Sequence, residues 1–232
     1  SDLPDTSETG QTGTNRCSGA NSDTSMCQTL LLNSAEDFCL WGPPTAGQEV
    51  SVTEEVEVAW CTKDHGARQI PDGALHSVHF VSTPAYLQVT GTGDLTKLNI
   101  KKGDEGGELD PHGATGNGNP IGGLVYTTAW STKGAHEQIN EWMMEISATS
   151  YCFRGCKGTD YISQMLCTHI YDEMGCDFIM PASYEKDVFE SCEGDVAIAP
   201  GIISTWTFTE GDPVTPSARS KPSSSNCATV SS

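Results

Sequence analysis

Positive charge is what this 232-residue chain has least of: 12 Lys+Arg stand against 31 Asp+Glu, a formal net charge of −19. A nucleic-acid partner needs a basic face that displaces counterions, so that class of ligand is excluded, while neutral and cationic ligands remain. No run of about 18 apolar residues occurs, and no transmembrane helix is expected. Also missing are a Cys-x-x-Cys pair, a Gly-x-Ser-x-Gly elbow and any Asn-x-Ser/Thr sequon. Their absence removes thioredoxin-like chemistry, an elbow-type serine nucleophile and N-glycosylation, leaving O-linked sugars on Ser and Thr. The chain does not open on a charged-then-apolar leader, and its first residue reads as a processed terminus.

Cysteine is not scarce. Cys17, Cys27, Cys39, Cys61, Cys152, Cys156, Cys167, Cys176, Cys192 and Cys227 make an even ten, the count expected of five disulfides in a secreted, extracellular protein. Spacing does not settle their connectivity. The 36% hydrophobic content is low but sufficient for a core. Residues 1–33 form a polar arm stapled by Cys17 and Cys27, and residues 34–209 a single β-rich globular domain with a helical insertion at about 133–192. Residues 210–232 form a Pro/Ser-rich tail tied back through Cys227.

Periodicity supplies the elements. Ser34 and Asp37 have capping-box spacing for a short helix carrying Phe38 and Trp41 into the core. Alternation over 49–60 predicts a strand, with a bulge or an inward carboxylate at Glu54. Short strands are expected over 75–82, 85–90, 95–100 and 124–130, separated by Gly, Pro and Asp turns, with a last one or two over 196–208. Within 133–149, Ile139, Trp142, Met143 and Ile146 recur at helical spacing. A second helix is expected over 160–174, capped by Thr159 or Asp160, with Ile162, Met165, Leu166 and Ile170 inward and Gly175 as its stop. The class is therefore α+β, mainly β: an antiparallel β-sandwich or barrel core with a disulfide-stapled two-helix subdomain.

The chain is organised around the glycine-rich loop 103–123, pinned by the apolar runs 95–100 and 124–130. Glu108 and Asp110 are its candidate catalytic pair, since one protonated and one ionised carboxyl can cleave a glycosidic bond; Glu54 and Asp72 are candidate partners. The plainer reading is that Asp104, Glu105, Glu108 and Asp110 solvate an exposed loop. His112, Asn117, Asn119, Tyr126 and Trp130 are candidate glycan-binding residues, offering polar edges and stacking faces, though core packing explains the aromatics equally. For metals, His76 and His79 fall on opposite strand faces. His112 sits beside Asp110, and Asp104, Glu105, Glu108 and Asn117 could supply oxygens to calcium. None matches a standard spacing, so no metal set is assigned and no cofactor is expected. His65 reads as a turn residue, and His136 and His169 as helix residues that face solvent or cap packing.

The segments 37–44, 70–73, 87–91, 93–100, 106–123 and 211–216 resemble the fungal secreted proteins known as macrophage-activating glycoproteins, a group that includes a mannoprotein antigen of a pathogenic basidiomycete yeast. The likeness spans nearly the whole chain, cysteines included. It implies a fungal, usually basidiomycete, extracellular protein, often followed by a Ser/Thr-rich, O-mannosylated stalk and a lipid-anchor signal, and it brings no catalytic residues with it. The expected function is a secreted, cell-surface or wall-associated glycoprotein, a monomeric polysaccharide-binding module of antigenic, immunostimulatory character. The alternatives are a carbohydrate-active hydrolase using Glu108 and Asp110, and a metal-binding secreted protein.

Overall fold

Apolar residues are gathered in short runs between glycine, proline and serine turns, and in the computed structural model those runs become strands. The structure describes residues 17, 19–204 and 206–231, so most of the polar arm lies outside the described residues. In chain order the elements are β1 (Thr29–Ser34), β2 (Asp37–Gly42), α1 (Val50–Thr53), β3 (Val58–Cys61), β4 (Arg68–Gln69), β5 (Val78–Ser82), β6 (Tyr86–Thr92), β7 (Gly107–Leu109) and β8 (Leu124–Thr127). Then come β9 (Glu137–Ile139), β10 (Glu141–Ile146), β11 (Ser150–Cys156), α2 (Tyr161–Leu166), α3 (Gly175–Ile179), β12 (Phe189–Gly194), β13 (Ile202–Ile203), β14 (Trp206–Thr207) and β15 (Ser224–Thr229). The fold is α+β and mainly β.

Two sheets dominate, ordered β4-β3-β2-β1-β8-β9 and β15-β12-β5-β6-β11-β10-β7. Most pairs are antiparallel, with β1–β8, β3–β4 and β5–β12 parallel. The sheets share one core, where Trp41 meets Trp142 at 6.0 Å and Phe38 lies over Tyr151 at 6.1 Å. The seven-stranded sheet has a second buried face. Residues alternate along a strand, so Leu87, Val89, Trp142, Met144, Tyr151 and Phe153 enter the shared core. Their neighbours Gln88, Thr90, Met143, Glu145, Cys152 and Arg154 face the other way and are buried as well.

A third layer, built from α2, α3 and the loops around them, covers that outer face. Disulfides Cys156–Cys167 and Cys152–Cys176 tie β11 to it. Met143, Tyr171, Phe178, Met180 and Phe208 form its own apolar cluster. The other bridges are Cys17–Cys27, Cys39–Cys61 across β2 and β3, and Cys192–Cys227, which fastens β15 to β12.

Several local expectations are corrected. Residues 34–41 are not a helix but the turn and second strand of the β1–β2 hairpin: Ser34 pairs with Asp37, and every residue from Phe38 to Gly42 is buried. The alternating stretch 49–60 begins as helix and turn, with Val52 and Val56 exposed, and becomes strand only at Val58. Residues 95–98 form a 3-10 turn closed by Asn99 at φ 69°. The helix expected over 133–149 is β9 and β10, because a strand covered on both faces mimics helical spacing. Asp160 does cap α2, accepting from the Ser163 amide at 2.9 Å, but Ile162 and Ile170 are exposed, and Gly175 opens α3. Ile202–Ile203 and Trp206–Thr207 pair antiparallel as a separate two-stranded sheet.

Replacing Cys152 and Cys176 together by Ser opens a 24-residue loop and should cost about 3 kcal/mol. The expected outcome is a melting temperature lower by roughly 5–10 °C, with limited proteolysis concentrated in 157–185. Unchanged melting and protection would show that the bridge does not hold the third layer.

Candidate functional site

The central loop is not a solvated tether. Glu108 in β7 and Asp110, the residue after its end, are two residues apart and so face the same way, onto the outer side of the sheet. Both are 5% exposed. The register sets Glu145 of β10 directly opposite Glu108, a like-charge pairing that a sheet ordinarily avoids. Gly107 lets a fourth carboxylate approach: a Cβ there would sit 2.7 Å from Glu54 Oε1.

Beyond β7 the chain folds back on itself. Asp110 and Asn119 exchange backbone hydrogen bonds of 3.0 and 2.8 Å, while Asp110 Oδ1 accepts from the amides of His112 and Gly113, each at 2.7 Å. Gly113 holds φ +58° in that turn, and a Cβ there would meet Asn119 Oδ1 at 2.8 Å. Asn119 Nδ2 donates to Glu54 Oε2 at 3.0 Å. The third layer supplies the far wall: His169 Nδ1 lies 3.7 Å from Asp110 Oδ1, and its ring stacks on His112 at 4.7 Å. His112 in turn places Nε2 3.8 Å from Glu141. Glu54, Glu108, Asp110, Gly113, Asn119, His169 and Asp172 line a cavity of about 190 Å³.

Burial dominates the electrostatics. It pushes the Glu108 carboxyl up to about 10, helped by Asp172, Glu145, a hydrogen bond shared with Asp172, and Asp110. Glu145 rises to about 8, through burial and then Asp172, Glu54 and Glu210. Glu54 rises to about 7, through burial and then Asp172, Asp110 and Glu55. Beneath them Glu57 rises to about 8, chiefly by burial, although Thr53 Oγ1 donates to its Oε1 at 2.8 Å. Among the described residues no hydrogen-bond donor reaches Glu108 Oε2, Glu145 Oε1 or Glu57 Oε2. The pocket thus offers protonated carboxyls that donate, carboxylate and amide oxygens that accept, and an imidazole.

The remaining candidates lie elsewhere. Asn117 is half-buried on the loop, its amide 3.3 Å from Thr115 Oγ1. Tyr126 is buried in the shared core, and Trp130 packs against it under the Lys157 ammonium at 5.6 Å, so neither offers a stacking face to the pocket. Asp72 lines a separate cavity with Glu36 and Thr62. Asp104 accepts from the Val50 amide at 3.0 Å, and Glu105 is exposed. His65 pairs with Asp37 at 2.6 Å, while His79 bonds Glu190 at 2.7 Å beside Cys192, whose sulfur is committed to a disulfide. Sequence reasoning missed Glu141, Glu145, His169 and Asp172. A period-two reading of 141–146 would have placed Glu141, Met143 and Glu145 on one face; nothing local marks His169 and Asp172, which arrive through the third layer.

The chain is 50% identical over 224 residues to appressorium protein ROW2 of Mycosarcoma maydis, covering 94% of this chain and 76% of that protein. It belongs to the family of these appressorium proteins. A second member, appressorium protein ROW1 of the same fungus, is 51% identical over 225 residues, 95% of this chain but only 52% of its own length. This family member thus spans about three quarters of one relative and half of the other. No family model and no solved structure matches it. Fungal relatives and five disulfides together fit an extracellular or surface protein.

The raised carboxyls of this appressorium-family protein set its response to pH. Glu57 and Glu145 titrate near 8 in the folded state and from 4.5 ordinarily, so the folded chain holds protons that the unfolded chain releases. Their penalty is absent below about pH 4.5 and grows as pH rises to about 8. Melting in chelator-containing buffer should fall by about 5 °C or more from pH 5 to pH 8, and Glu57→Gln should flatten that slope. A melting temperature that rises over this interval would contradict the burial of these ionisable carboxyls.

Proposed function

We propose that this chain is an extracellular fungal surface module that engages a wall polysaccharide through the acidic pocket. One observation carries the reading: protonated and ionisable carboxyls, an amide and an imidazole converge in an open cavity of about 190 Å³, a space suited to a single sugar ring. Hydroxyl groups both donate and accept, and this lining offers both roles. Recognition would be polar rather than by stacking, since Tyr126 is buried and the half-buried Trp130 packs on the core beneath the Lys157 ammonium, away from the pocket. The appressorium relatives and the resemblance to macrophage-activating glycoproteins support the surface setting; wall attachment, O-glycosylation and immunostimulation belong to the same proposal.

A second reading, hydrolysis, is favoured by the pairing of a Glu108 raised to about 10 with Asp110, whose carboxylate oxygen lies within 4.8 Å of it. A general acid and a carboxylate partner in close apposition are the elements of glycosidic cleavage.

The test is sedimentation with insoluble β-glucan, chitin and mannan, assaying the supernatant for protein and new sugar. Depletion of the protein without sugar release is expected, weakened about tenfold by Asp110→Asn or Asn119→Ala in variants with unchanged circular dichroism. Sugar release abolished by Glu108→Gln would replace binding with hydrolysis. Neither depletion nor release would sink both readings.

A further inference from the structure

The floor of the acidic pocket holds three potential ligand atoms, one each from Glu108, Asp110 and His169, all within 4.8 Å of one another. A point central to such a triangle lies within roughly 2.8 Å of every corner, so sub-ångström side-chain shifts reach the ~2.0–2.3 Å of metal–oxygen and metal–nitrogen bonds. A second, independent feature is Glu108 itself: it is 5% exposed, lines the pocket, and no donor among the described residues reaches its Oε2. Asp172 can satisfy it only by sharing a proton. Among the described residues no Lys or Arg lines the cavity, and Glu54 and Asp172 add further carboxylates to its wall. Buried charge of one sign requires a counter-charge, and among the described residues that line the cavity His169 is the one group able to carry positive charge.

We propose that Glu108, Asp110 and His169 bind one divalent cation, with Glu54 and Asp172 as reserve ligands. Two carboxylates and an imidazole suit Mn²⁺ or Zn²⁺; calcium and magnesium prefer oxygen alone, and soft cations want thiolates, which the five disulfides remove. Three protein ligands leave coordination positions open toward the pocket mouth, where water or a sugar hydroxyl can enter. The other three-membered ligand group among the described residues, His79, Glu190 and Cys192, lacks this character because Cys192 is bonded to Cys227. The inference stands on the pocket's own geometry and goes beyond the glycan reading.

The experiment is titration of Mn²⁺ into the full chain, stripped with EDTA and dialysed, following loss of the free-ion electron paramagnetic resonance signal. One Mn²⁺ per chain is expected, displaced by Zn²⁺ and not by equal Ca²⁺. Glu108→Gln and His169→Ala should each weaken it about tenfold or more, the scale on which ligand-shell changes act, while Glu190→Gln leaves it unchanged. Glu108→Gln mimics the neutral carboxyl and His169 is 34% exposed, so melting curves should show both folded; if the former does not fold, the latter decides. No Mn²⁺ binding, binding indifferent to His169→Ala, or displacement by equal Ca²⁺ would overturn the assignment. No polysaccharide enters the measurement, so its failure is separate from failure of the glycan reading.

Discussion

Covering the second face of the seven-stranded sheet is the constraint on which the rest depends. Once the third layer is stapled down by Cys152–Cys176 and Cys156–Cys167, every polar side chain on that face loses water and must find a partner within the protein. The sheet meets that demand in two ways. Toward β5, β6, β11 and β12 the partners are present. Arg154, fully buried, donates to Gln88 at 2.8 Å and to the Leu166 carbonyl at 2.8 Å and lies over Tyr86 at 4.4 Å, while His79 finds Glu190. Toward β7 and β10, among the described residues, no donor reaches Glu108 Oε2 or Glu145 Oε1, and the two carboxyls stand opposite each other across the ladder.

Magnitudes decide the outcome at that end of the sheet. Two unit charges about 4 Å apart repel by about 4 kcal/mol at an effective dielectric constant near 20, before any desolvation is counted. Neutralisation removes that repulsion; burial is the first cause that raises the carboxyls of Glu54, Glu108 and Glu145, and neighbouring carboxylates, Asp172 foremost, raise them further. Carboxyls perturbed in this way cluster at functional sites. The central loop belongs to the same arrangement: its Asp110–Asn119 ladder and the Asn119–Glu54 hydrogen bond hold the carboxylates together.

The parts legible in advance were those in which a local rule acts alone. Asp160 caps α2 because a side chain reaches an amide three residues on, and the β-rich class comes from short apolar runs between turns. Where burial comes from two directions, periodicity misleads. Residues 141–146 carry helical spacing in Trp142, Met143 and Ile146, yet form a strand, since Met143 packs under the third layer and the other two enter the shared core. Val52 and Val56 alternate as a strand would and are exposed. Tyr126 and Trp130 are close to the loop in sequence but belong to the core side.

By itself the sequence determined composition-level facts: an acidic chain without a basic face, ten cysteines suited to an oxidising compartment, a β-rich class, and a glycine-rich loop bearing Glu108 and Asp110. These rest on counts and short-range patterns, which need no partner from afar. Only the tertiary structure decided that the two carboxylates are buried, that Glu145 stands opposite one of them, and that His169 and Asp172 close the pocket. Strand register and layer packing join residues far apart in the chain, and the desolvation that shifts a carboxyl exists only after they have met.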